Sequence, residues 1–178
     1  MSPVSQKGFT FVEMLVYVAI VSIVAGVLTS VLISNMRAYD KSQARQSVLN
    51  NVHDALRIVT EEVKYAQSVY TPTSVLASDT GQLSLETELN PPAGESVAYV
   101  DYYLDNGRIY EKREGQSALP LTSERVIVER LRFEQNTVAA GQASLSAVIE
   151  ARINTLSADP ADQARVTLTS AASLRGAY

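Results

Sequence analysis

The sequence predicts an α+β chain: one long N-terminal helix followed by antiparallel strands. Three observations lead there. The stretch from Met14 to Met36 carries no charged residue. Val48, Val52, Ala55, Leu56, Val59, Val63, Ala66 and Tyr70 then recur at steps of three and four, the spacing that lines up one helix face. Beyond Pro72, apolar and polar residues alternate in short runs separated by Gly, Pro, Asn and Asp, the pattern of half-buried strands and turns. Helix first and strands after is the segregated order of an α+β fold.

The uncharged run comes first. As a helix it extends about 34 Å at 1.5 Å per residue, enough to cross a bilayer core of about 30 Å. Ser22, Gly26 and Ser30 are small residues that let helices approach closely. A cleaved secretory signal has a shorter apolar core, of about 7–15 residues. A plain single-pass anchor leaves Glu13, at the head of the run, without a role beyond that of a tolerated edge carboxylate. The amphipathic stripe follows and runs to about residue 70, with Pro72 ending it.

The strands are read from alternation. Gln82–Thr87 places Leu83 and Leu85 on one side. Residues 96–104 and Arg108–Arg113 flank Asp105-Asn106-Gly107, and Asn-Gly is a strong signal for a two-residue hairpin turn. Residues 125–135 alternate with a slip between Val128 and Leu131 that implies a bulge. Residues 145–154 alternate again, and 166–169 form a short last strand. Residues 90–94, 137–143 and 157–163 read as loops. On the hairpin, Tyr102 and Tyr103 must face opposite sides.

Composition excludes several chemistries. Among 178 residues there is no cysteine and one histidine. Disulfides, thiolate chemistry and a zinc site are therefore not expected. His53, beside Asp54 on the helix, reads as a solvated residue and not as a catalytic base. Asp101, Asp105 and Asn106 do not match a calcium loop with its closing Glu and read as turn chemistry. No phosphate-binding loop is present. After Tyr70 there are nine Lys/Arg against fourteen Asp/Glu, a net charge of −5, which repels a nucleic-acid backbone. No enzyme activity, cofactor or metal is expected.

The first residues read Lys7-Gly8-Phe9-Thr10-Phe11-Val12-Glu13-Met14-Leu15. This resembles the type IV prepilin signature: a basic residue, Gly, Phe, three mostly hydrophobic positions, Glu, then the apolar helix. The resemblance implies cleavage between Gly8 and Phe9 by a prepilin peptidase, N-methylation of Phe9, and a role for Glu13 in assembly, where it meets the terminal amine of a neighbouring subunit. Two costly groups in an apolar bundle then offset each other and set a register. The later layout, with the segment VAYVDYYLDNGRIYEKRE, is similar to the minor pseudopilins of type II secretion, of the J class, and to minor type IV pilins. The absence of proline from residues 14–71 departs from many major pilins and points the same way.

The resemblance implies four segments: a leader at 1–8, a transmembrane helix half at 9–36, an amphipathic helix half at 37–71, and an extracytoplasmic, β-rich, pilin-like domain at 72–178. Its partners would be the prepilin peptidase, other pilins met through the N-terminal helix, and an inner-membrane assembly platform. The expected location is the cytoplasmic membrane as a single-pass protein, then a filament. A binding module for DNA, a surface or a secreted cargo is the alternative function. Orientation carries a conflict, because Arg37, Lys41 and Arg45 outnumber Lys7 across the run and the positive-inside rule then opposes the leader. The leader motif, which must meet its peptidase on the cytoplasmic face, sets the expected orientation.

Overall fold

The computed structural model describes residues 8–137, 143–155 and 163–175. Lys7, most of the 1–8 leader, and most of the loops expected at 137–143 and 157–163 lie outside the described residues. Helix α1 spans Phe11–Tyr65. Strands follow in chain order: β1 (Ala66–Val69), β2 (Gln82–Thr87), β3 (Ala98–Asp105), β4 (Arg108–Arg113), β5 (Leu119–Pro120), β6 (Val126–Thr137), β7 (Ala143–Ile153) and β8 (Arg165–Ser173). The chain divides into two compact units, one ending at Asp40 and one beginning at Lys41.

In the first unit, large apolar side chains surround the helix, and all are exposed, from 47% for Ile33 to 79% for Phe11. The second unit is α+β, as expected, but it holds two sheets and not one. One has the order β1-β2-β3-β4-β5 and the other β6-β7-β8, and every neighbouring pair is antiparallel. Alternation predicts which residues lie on strands. It says nothing of which strands share a ladder.

The helix ends at Tyr65, short of residues 70–71. From Ala66 the backbone bonds sideways: Ala66 pairs with Thr87, Ser68 with Glu86 and Val69 with Leu85. Ala66 is buried all the same, so the apolar stripe runs past the point where the backbone changes partner. β1 and the two-residue β5 have no distinct signal of their own. The hairpin turn is as read: Asn106 and Gly107 both have positive φ, 47° and 74°, as a type I′ turn requires. The slip in β6 is a register shift between Val128 and Arg130.

The two sheets meet along β6. Gly81 N–H donates to the Leu131 carbonyl at 2.7 Å and Leu131 N–H to that of Asp79 at 2.9 Å. A Cβ at Gly81 would lie 3.0 Å from the Leu131 oxygen, so the close approach favours glycine. At the other end Val128 N–H donates to the Gly107 carbonyl at 2.8 Å. Between the sheets lies a shared core. Val48, Val52, Val59 and Val63 of α1 are buried with Leu85, Tyr102 and Ile109 from one sheet and Leu131, Phe133 and Ile149 from the other.

One charged group is buried with them. Glu62 of α1 is 6% exposed and pairs with Arg113 of β4. Arg113 also reaches Glu111 at 3.1 Å and the Leu89 carbonyl at 3.3 Å. Burial works against the Arg113 charge, but bonding to Glu62 and the Glu62 and Glu111 charges outweigh it and raise its pKa. The other Glu62 oxygen is buried without a partner. Removing Arg113 leaves a buried carboxylate unpaired, so Arg113→Ala should cost about 3–5 kcal/mol, read as a lower urea midpoint of the full chain in detergent. Glu62→Gln with Arg113→Met should recover part of that loss.

Tyr102 gives a second test. Burial, then the charges of Glu111 and Glu62, push its phenol well above the ordinary 10.0. A folded-state pKa above the unfolded one means stability present below pH 10 and lost as pH rises past it. Alkaline titration followed by tyrosinate absorbance should show one phenol silent until the domain unfolds, and Tyr102→Phe should remove that signal.

Candidate functional site

The start of α1 is built by a cap. Thr10 precedes the first helical residue, and its Oγ1 accepts the Glu13 N–H at 3.3 Å; the Thr10 carbonyl accepts Met14 N–H at 3.2 Å. Thr-x-x-Glu is the capping-box spacing, a signal present in the sequence but not used in reading it. Glu13 therefore has a place in the first turn on grounds of the helix alone, since the N-terminal dipole favours a carboxylate there. The Glu13 residue is exposed.

Gly8 and Phe9 lie just before the cap. A Cβ at Gly8 would meet nothing within 4 Å, and Gly8 has no positive φ. Among the described residues nothing demands glycine at that position. Phe9 is exposed, with its ring edge-on to Tyr17 at 6.2 Å between centroids. Gly8, Phe9 and Glu13 are thus brought together in one exposed stretch.

Three hydroxyls of the apolar run that follows bond back to carbonyls of the same helix. Ser22 donates to the Val18 carbonyl at 2.7 Å, Thr29 to that of Ala25 at 2.8 Å and Ser30 to that of Val27 at 3.0 Å. Each hydroxyl is satisfied inside its own helix, the condition for entering a medium without water. The helix is long and apolar enough to cross a membrane.

Residues 4–29 match the family described as the prokaryotic N-terminal methylation motif. Among solved structures, a type IV-like pilin from Thermus thermophilus matches with a TM-score of 0.50 at 13% identity, over 71% of this chain and 95% of that one. The chain carries a prepilin-type methylation motif and has a pilin-like fold. No curated protein matches the pilin-like chain in sequence.

The remaining candidates fall elsewhere. His53 is exposed and lies 4.0 Å from Asp54, on a groove of about 340 Å³ shared with Leu56, Leu168 and Ser170. Asp101 stands opposite Lys112 across the strands, and Asn106 donates to Asp105 at 3.1 Å in the hairpin turn. Among the described residues no group of three or more His, Cys, Asp or Glu is placed to hold a metal. Of the hairpin tyrosines, Tyr102 is buried, and Tyr103 stacks on Tyr110 at 5.8 Å on the opposite side.

The cap can be separated from any other role of Glu13. Thr10→Ala should weaken the first turn by about 1 kcal/mol, visible as faster amide exchange at Glu13 and Met14 in detergent. Glu13→Gln keeps the Thr10 cap and loses only the charge–dipole attraction, about 0.3–1 kcal/mol, so it should speed that exchange less.

Proposed function

We propose that the chain is a structural filament subunit, a minor pilin or pseudopilin. It is cut between Gly8 and Phe9 by a prepilin peptidase, methylated on Phe9, held in the cytoplasmic membrane by residues 9–36 with the 72–178 domain outside, and then built into a filament with other pilins on an inner-membrane assembly platform. The single observation that carries this reading is the prepilin signature placed in an exposed stretch directly ahead of a capped, wholly apolar helix face. The freedom around Gly8 adds to it, because a glycine the fold does not need is explained by an outside enzyme that reads it.

Glu13 fits the same reading. Cutting before Phe9 creates an ammonium four residues from the carboxylate. With the helix continued back to Phe9, that pair would be about 6 Å apart along the axis. Between two helices displaced by that amount, amine and carboxylate meet. In an apolar bundle each charge alone is costly, and the pair relieves both.

Intact mass is the deciding measurement. The full chain made with a prepilin peptidase should lose residues 1–8 and gain one methyl group, and Gly8→Leu should abolish both changes. An uncut chain, or one cut after the apolar run, returns it to a generic anchored or secreted domain. Glu13→Leu should still be cut, with recovery in sheared filaments reduced at least tenfold; normal recovery would remove Glu13 from assembly.

A further inference from the structure

The surface of the second unit is charged unevenly along its length. At its start, Lys41 and Arg45 occupy the track of three- and four-residue steps that is buried from Val48 to Val63. One or two turns ahead of the buried stretch, the same helix face is cationic and exposed. Among the described residues neither side chain has an ion pair or hydrogen-bond partner.

At the far end of the helix the surface is aromatic and mostly acidic, with Lys64 and Lys112 at its margin. Ala66, the first residue after α1, pairs with Thr87, and Thr87 pairs with Ala98. Tyr99 therefore lies beside the helix C-terminus. Its ring meets that of Tyr70 at 5.0 Å, tilted by 59°. Glu86 stands directly opposite Tyr99 across the strands, and Glu114 accepts the Tyr99 N–H at 3.3 Å. Glu86 first, and also Glu114 and Glu95, act on the Tyr99 phenol to raise its pKa. An exposed Tyr70 ring and a half-buried Tyr99 ring among three carboxylates suit a guanidinium or ammonium, which can lie against an aromatic face while bonding to carboxylate oxygens.

From Arg45 to the end of α1 is about 30 Å. A chain with a cationic face at one end and an acidic, aromatic patch at the other is complementary to itself head to tail. Such contacts repeat without closing, as a filament requires. We propose that the Lys41–Arg45 face of one copy docks on the Tyr70–Tyr99 patch, with Glu86, Glu95 and Glu114, of a second copy. This rests on the filament reading above. The axial displacement of about 30 Å differs from the 6 Å that joins Phe9 to Glu13, so the two contacts belong to different neighbours. Exposed pairs contribute little strength each; their role is to select one displacement, and the contact weakens with salt.

The chain has no cysteine, so introduced pairs report cleanly. Full-length copies carrying Lys41→Cys and full-length copies carrying Glu95→Cys are expressed together with the peptidase and assembly machinery and treated with a short bismaleimide. A Val16→Cys pair tests helix-to-helix contact independently. A cross-linked dimer from Lys41→Cys and Glu95→Cys is expected. Arg45→Glu in the first copy should lower its yield at least fivefold, and Glu114→Arg in the second should restore it, with unchanged thermal midpoints. If Val16→Cys cross-links and the other pair does not, the docking is overturned and the filament stands. If neither cross-links, two copies are not neighbours and the docking is overturned, while the filament reading is decided separately by the intact mass and by recovery in sheared filaments. Capture of Lys41→Cys by a different pilin, or by lipid alone, also overturns the docking.

Discussion

Burial of one face of α1 is the interaction on which the domain depends. The five-stranded and three-stranded sheets are joined by few backbone bonds: those between residues 77–81 and Leu131 and Phe133, one from Val128 N–H to the Gly107 carbonyl, and one from Arg175 N–H to the Ala66 carbonyl. What they share is the row of valines from Val48 to Val63, packed against Leu85 and Tyr102 on one side and Phe133 and Ile149 on the other. Each such side chain contributes about 1.5–3 kcal/mol when fully buried. The helix is the common wall of both sheets, and the bulge in β6 and the bare backbone of Gly81 let the sheets close on it.

The buried ionic group refines that packing. An apolar wall specifies that helix and sheet meet, but not at which turn. Glu62 and Arg113 add a directional pair between α1 and β4, with Glu111 and the Leu89 carbonyl occupying the rest of the guanidinium. A pair of this kind adds little net stability over an apolar replacement. Sliding the helix by one turn would separate the charges inside the core, so the pair disfavours alternative registers.

Function in a pilin-like chain lies in surfaces more than in pockets. The first unit presents apolar side chains around its whole circumference, which in water has no stable state. In the proposed subunit lipid covers it at one stage and neighbouring helices cover it at another. The cap at Thr10, the internally bonded hydroxyls and the unneeded glycine at position 8 describe a segment prepared for an apolar medium and for an outside enzyme. Under the proposed reading the peptide and methyl chemistry is performed on this chain by others.

Much of this was legible in the residues. The uncharged run, the heptad-like stripe, the Asn106-Gly107 turn and the slip after Val128 each follow from a local rule: side-chain period, turn dihedrals, or one extra residue in a ladder. The prepilin signature is likewise local, because a peptidase reads a linear segment. What the tertiary structure alone decided is where backbones change partner. The helix stops at Tyr65 because Ala66–Val69 finds β2, although the apolar stripe continues. The strands divide into two sheets because residues 77–81 reach β6, and Glu62 becomes a core residue because Arg113 arrives from far along the chain. Periodicity records which side of an element is buried. It holds no record of what lies opposite, since that depends on contacts between residues distant in sequence.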